Sequence, residues 1–240
     1  MHGNVFAAPA ASAAASERSA FLRKVGGYTF VGLSFSMIVG AVAAFGLAML
    51  LPSMPILGNR WVQMGVIFGS FYMTQSVANG MVHEYSTKWI GFFLGTFFQG
   101  IAMSYLLLAA VMMSASVVGN PFALVGQAFG LTGLITVGMF AYLLTGPKEL
   151  SLVKAGLSML SIPMLILMVI SFVFPIGGPI GMVFTGLFVL VSAGGVLYQL
   201  NNVMYRYPTN AAVPASYSIT IGLLVLYWNL LSLLMRMNRR

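Results

Sequence analysis

The chain has 240 residues, of which 60% are hydrophobic and 6% charged. A soluble domain covers its surface with about 25% charged residues, so water cannot be the solvent on every side of this one, and lipid is the medium that suits it. The 11 Lys+Arg against 3 Asp+Glu leave a net charge of +8 with no dense basic run; scattered cations at helix ends anchor a membrane protein, and no nucleic-acid partner is expected.

Residues 1–20 read as a flexible N-terminal tail. Its small, weakly apolar stretch AAPAASAAAS has no preceding positive residue, which is unlike a cleaved signal peptide, so the first membrane helix is expected to act as the insertion signal. Residues 21–240 read as one transmembrane domain with apolar spans at 28–51, 61–82, 89–114, 122–144, 150–174, 178–200 and 211–235. Each is close to the length of about 20 residues that crosses a bilayer as a helix. Pro52 and Pro55, His83 with Glu84, Gly119 with Pro121, Gly146 with Pro147, and Pro175 separate them, as helix stop signals should. The runs are too long and too uniformly apolar for barrel strands, and a helix pairs its own backbone inside lipid. The expected fold is an all-α integral membrane protein, a seven-transmembrane-helix bundle whose short loops make successive helices antiparallel neighbours. Pro163 is expected to kink the fifth span.

With seven spans, Arg18, Arg23, Lys24, Lys88, Lys148, Lys154 and Arg206 share the N-terminal side, and Arg60, Arg236, Arg239 and Arg240 the other. The positive-inside rule then places the N-terminus in the cytoplasm, with the three C-terminal arginines counting against it.

Enzyme signatures are missing: the chain has no HExxH, P-loop or GxSxG motif, and no cysteine. No catalytic residue, metal or cofactor is expected. With Lys154 near the end of its span, Tyr is the only ionisable side chain expected in the membrane interior, which weakens any ion-coupled pump. His83, Glu84 and Lys88 are the one compact charged cluster, and with adjacent residues diverging on a helix they read as an interfacial loop. Gln63, Gln75, Asn79, Gln99, Gln127 and Thr132 read as interhelical hydrogen-bonding groups. Gln199, Asn201, Asn202 and Asn229 stand apart because they cluster at the ends of the last two spans. Gly-xxx-Gly spacing recurs at Gly65/Gly69, Gly91/Gly95, Gly126/Gly130 and Gly177/Gly181, with close packing inside the bundle as its expected use.

Residues 198–236, YQLNNVMYRYPTNAAVPASYSITIGLLVLYWNLLSLLMR, resemble the signature of the Bax inhibitor-1 (transmembrane Bax-inhibitor motif) family and of its bacterial YccA-like members. Tyr198 matches the Tyr of the family's Tyr-Asp-Thr, and Asn229-Leu230 match its Leu-Asp-x-x-Asn-Leu. Phe21-Leu-Arg-Lys-Val25 is similar to the pre-helical motif of bacterial members. Residues 128–151 resemble the fourth helix and its interfacial turn, where Lys148, Glu149 and Ser151 stand in the family's Thr-Lys-x-Asp-Leu-Ser.

The resemblance implies a Bax inhibitor-1-type bundle with a central seventh helix. In the family, two aspartates on the last two helices form a pH-sensitive latch over a calcium leak. The latch-equivalent positions here are Gln199 and Leu226, which cannot share a proton. A further implication is an inner-membrane protein acting in quality control or stress response through partners such as the FtsH membrane AAA+ protease, with the Ala/Ser-rich tail as a handle. The alternative is a calcium or other cation leak with a non-titrating latch, lined by amides and carbonyls.

Overall fold

The computed structural model describes residues 12–144, 150 and 178–239, with 153–157, 159, 160, 163, 166 and 170 between them. All regular structure among these residues is helical: α1 (Ala15–Leu50), α2 (Arg60–Tyr72), α3 (Asn79–His83), α4 (Lys88–Val117), α5 (Ala123–Leu144), α6 (Gly178–Tyr205) and α7 (Ala212–Met237), with a 3-10 turn at Pro55–Gly58. A π-helical segment, Met73–Ala78, joins α2 to α3, so 60–83 is one helical run. Five helices, α1, α4, α5, α6 and α7, are long and apolar enough to cross a membrane. Large apolar side chains such as Phe30, Leu134 and Leu190 lie exposed on the outside of the bundle. The protein is an all-helical integral membrane bundle.

Helix α1 begins inside the stretch read as tail. Residues 15–20 are good helix formers on the same helix as the span, so extending it needs no new nucleus, and Glu17 in the first turn complements the helix dipole. At 36 residues the helix is ~54 Å long, well over the ~30 Å of hydrocarbon, so its first turns with Arg18, Arg23 and Lys24 project beyond. It ends before Pro52 and Pro55. Asn59 caps α2, its side chain accepting a hydrogen bond from the Trp61 N–H at 2.9 Å. Helix α6 runs to Tyr205, beyond the expected end at 200, so Asn201 and Asn202 sit inside its last turns.

Helix α7 is the centre: it packs against α1, α3, α4, α5 and α6, as the family resemblance implies. Three apolar clusters each draw on it. At the N-terminal end Phe21, Val25, Leu143, Met204 and Ala212 come together. At the opposite end Ala44, Ala110, Leu124 and Met235 do so. Ala78, Val82, Phe92 and Tyr217 form the third cluster. Leu143 at the end of α5 therefore lies at the N-terminal end of the bundle. Helix α6 is antiparallel to α7, with Gln199 beside Gly222 and Asn229 beside Phe188, so it starts at the other end. The end of α5 and the start of α6 thus lie at opposite ends of the bundle. The expected fifth span, 150–174, lies largely outside the described residues, as do the flanks of Pro163; at its start the Lys154 N–H donates to the Leu150 carbonyl.

The four Gly-xxx-Gly pairs divide. Gly91 and Gly95 are close approaches: a Cβ at 91 would lie 2.6 Å from the Val82 nitrogen, and one at 95 would overlap the Tyr217 ring. Gly65, Gly69, Gly126 and Gly130 have open space where a side chain would be. Gly177 lies outside the described residues. Gly100 makes a further close approach, since a Cβ there would lie 2.6 Å from the Ser36 carbonyl oxygen, and this brings α1 and α4 together.

Candidate functional site

Of the polar residues grouped in the sequence, Gln199, Asn201 and Asn202 lie in the last turns of α6 at the N-terminal end of the bundle, whereas Asn229 lies apart from them toward the other end of α7. Gln199 lays its amide on the bare backbone of Gly222, where any Cβ would overlap it. Leu226 stands one helical turn further along α7, fully buried in the apolar cluster with Val196, Leu200 and Leu223. Gln199 therefore meets Gly222 across the helix pair. Asn201 is 2% exposed. The Asn202 carbonyl accepts the N–H groups of Arg206 and Tyr207, at 2.7 and 2.9 Å, which closes the end of α6. Asn229 lies beyond Gly222 along α7, and its Nδ2 donates to the Phe188 carbonyl at 3.4 Å. Tyr198 is partly exposed beside them. Lys148, Glu149 and Ser151 of the interfacial turn lie outside the described residues.

Around this cluster the end of the bundle is laced together. The Tyr205 hydroxyl donates to the Leu143 carbonyl at 2.7 Å, joining α6 to α5. The Arg18 guanidinium lies 5.4 Å from the centre of the Tyr205 ring, which brings in α1 by a cation–π contact. In the loop after α6, burial raises the Tyr207 phenol above its ordinary range, partly offset by its hydrogen bond with Ser218, so it is neutral at physiological pH.

The interior holds more hydrogen-bonding capacity than it uses. Thr29 Oγ1 and Ser36 Oγ on α1, both amide atoms of Gln99 on α4, Gln199 Oε1 and Asn202 Oδ1 on α6, and the Tyr227 hydroxyl on α7 are buried with no hydrogen-bond partner among the described residues. Gln99 is fully buried. Each unpaired group of this kind costs about 1–3 kcal/mol. All of them sit on α7 or on helices that pack against it. The other polar side chains do ordinary work or face outward: the Gln63 amide donates to the Gly58 carbonyl and the Thr132 hydroxyl to the Ala128 carbonyl, while Gln75 and Gln127 are exposed.

The second span contains a feature the hydropathy pattern does not show. Its π segment places the Thr74 carbonyl where it accepts both the Asn79 N–H, five residues on, and the Tyr217 hydroxyl at 2.7 Å. The Thr74 hydroxyl in turn donates to the Ser70 and Gly95 carbonyls. No motif or polar clustering in the sequence sets Tyr217 or Tyr227 apart. The available signal was a Tyr in a central helix, whose hydroxyl must find a partner when buried. His83 and Glu84 lie on an exposed turn: His83 Nδ1 is 2.8 Å from the Asn79 carbonyl oxygen, and Lys88 packs 4.1 Å from the centre of the Tyr85 ring. Among the described residues no three His, Cys, Asp or Glu side chains gather as metal ligands.

A central seventh helix carrying Asn229-Leu230, paired with a sixth carrying Tyr198, is the arrangement that the family resemblance implies. The family model described as "Inhibitor of apoptosis-promoting Bax1" matches residues 18–240. The chain belongs to the Bax inhibitor-1 family. It is 25% identical over 210 residues to "Modulator of FtsH protease YccA" of Escherichia coli K12, covering 86% of this chain and 87% of that one. The same match is found with a protein of another Escherichia coli strain named "Inner membrane protein YccA". An "Uncharacterized membrane protein" of Vibrio cholerae is 26% identical over 231 residues, covering 92% of this chain and 93% of the other. No solved structure matches the chain at a significant level. Within the family, this member carries an amide and an aliphatic side chain at Gln199 and Leu226.

Proposed function

We propose that this Bax inhibitor-1 family member is a YccA-like, multi-pass inner-membrane protein that modulates membrane-protein quality control by associating with a membrane AAA+ protease of the FtsH class. The observation that carries this reading is the match to a named modulator of FtsH protease along almost the whole of both chains. The interior supports it as well. A partner-directed role needs no titratable pair, metal or nucleophile, and neither Gln199 nor Leu226 can titrate. The N-terminus lies in the cytoplasm, where residues 1–14 precede α1 and offer such a protease a segment to engage.

The test is co-purification from bacterial membranes. The full chain is expected to bring down FtsH and to slow degradation of a membrane substrate. A chain lacking residues 1–14, which stops short of α1, is expected to lose the association while keeping its melting temperature. Undiminished association by that deletion removes the tail from the proposal, and no association of the full chain removes the partner.

The second reading is a cation leak, for calcium or another cation. The observation favouring it is the set of unsatisfied buried groups on α1, α4, α6 and α7, because neutral oxygens and amides can line a cation path. Cation flux into liposomes carrying the purified protein separates the two readings.

A further inference from the structure

Helices α1 and α5 both pack on α7 but scarcely on each other. Between them runs a groove of about 250 Å³, halfway along all three helices. Leu33 and Met37 of α1 form one wall, Gly133 and Val137 of α5 the other, and Leu223 and Tyr227 of α7 the floor. Gly133 has no side chain and nothing within 4 Å of where one would start, so the α5 wall is hollowed at that point. The hydroxyls of Thr132 and Thr136, which also line the groove, are already bonded to the carbonyls of Ala128 and Thr132.

From this groove we infer that the protein holds one acyl chain of a membrane lipid between α1 and α5, against α7. Depth decides the occupant. Leu33, Gly133 and Leu223 lie near the middles of their helices, where the bilayer is hydrocarbon. The groove is open on its outer side, where Phe129 and Val137 are 59% and 67% exposed. Water finds few partners there: the threonine hydroxyls already donate to carbonyls, and the one further polar group on the lining is the Tyr227 hydroxyl. A transmembrane helix, about 10 Å across, is too thick to enter a space of this volume. A flexible hydrocarbon chain enters from the side and packs along the walls, over a floor where Leu223 and Tyr227 keep 5% and 3% of their surface exposed. A bound chain would lie directly on the central helix, so lipid occupancy and the packing of α7 are coupled. The inference rests on the membrane placement alone and stands apart from the protease reading.

The test uses the full chain in liposomes that contain a phospholipid with a diazirine near the middle of one acyl chain. After illumination, labelled peptides are mapped. Label is expected on the floor residues Leu223 to Tyr227 as well as on outward residues such as Leu134. Gly133→Leu fills the hollow and is expected to abolish floor labelling while Leu134 stays labelled. Val137→Phe, at an exposed rim position, is a second obstruction with no demand on the core. Gly65→Leu, in open space on a different helix face, is expected to leave floor labelling unchanged. An unlabelled floor in the native chain, floor labelling that survives both groove substitutions, or a second copy of the chain cross-linked at the floor would each overturn the inference.

Discussion

The Tyr217 hydroxyl donates to the backbone carbonyl of Thr74 across 143 residues of sequence, at 2.7 Å, and the hydroxyl end of its ring fills the space where a side chain of Gly95 would be. One side chain of the central helix thereby meets both the π segment of the second span and the closest approach of α4. A π turn widens the helix and directs a carbonyl outward, and here the outward carbonyl has a phenol to receive. The local irregularity and the tertiary contact depend on each other.

Tyr217→Phe keeps the ring and removes the hydrogen bond. The expected loss is about 1 kcal/mol of stability, read as a lower melting temperature in detergent. Gly95→Ala inserts a methyl into the ring itself and is expected to cost more, in the range of about 1–3 kcal/mol for an overpacked core. Equal melting temperatures for native and Gly95→Ala protein would show that the Tyr217 contact is slack.

Gly222→Ala displaces the Gln199 amide. It is expected to destabilise the α6–α7 pair, and Gln199→Ala is expected to relieve most of that loss by making room. A double-mutant cycle on the two positions should return a coupling energy of about 1 kcal/mol or more, as contacting residues do. Additive losses would place the two side chains out of contact.

Gln99→Leu replaces a fully buried amide, both of whose polar atoms are unpaired, with an apolar group of similar length. The expected outcome is a gain of up to about 1–3 kcal/mol, the desolvation cost of the orphaned group. If the variant loses stability instead, the amide has a partner in the membrane, and the cation-path reading gains support.

Any cation flux carried by the native protein is expected to be the same at mildly acidic and mildly alkaline pH, because neither Gln199 nor Leu226 exchanges a proton. Installing aspartates at both positions is a poor route to a pH-gated latch in this chain. Leu226 is 0% exposed in an apolar cluster, and Gln199 faces Gly222 in its place. Leu226→Asp is expected to lower the melting temperature sharply at neutral pH and less at acid pH, since burial favours the protonated carboxyl. A pH-gated flux from the double variant would show that the two positions do meet.

Composition and hydropathy were enough to place this chain in a membrane as helices, because lipid admits only structures that pair every backbone group internally. Breakers such as Pro52, Pro55 and Gly119 located the turns for the same local reason. Gly91, Gly95, Gly126 and Gly130 are alike in sequence, yet tertiary packing uses the first two and leaves the others open. Gln75 and Gln99 are equally polar residues of equally apolar spans. One faces outward and the other is sealed against its neighbours, because facing depends on helix rotation, which a chain apolar all round does not encode. The register of α6 against α7, and with it the pairing of Gln199 with Gly222, was likewise settled by side-chain fit across the two helices. So was the π segment, which exists where the Tyr217 hydroxyl meets the Thr74 carbonyl.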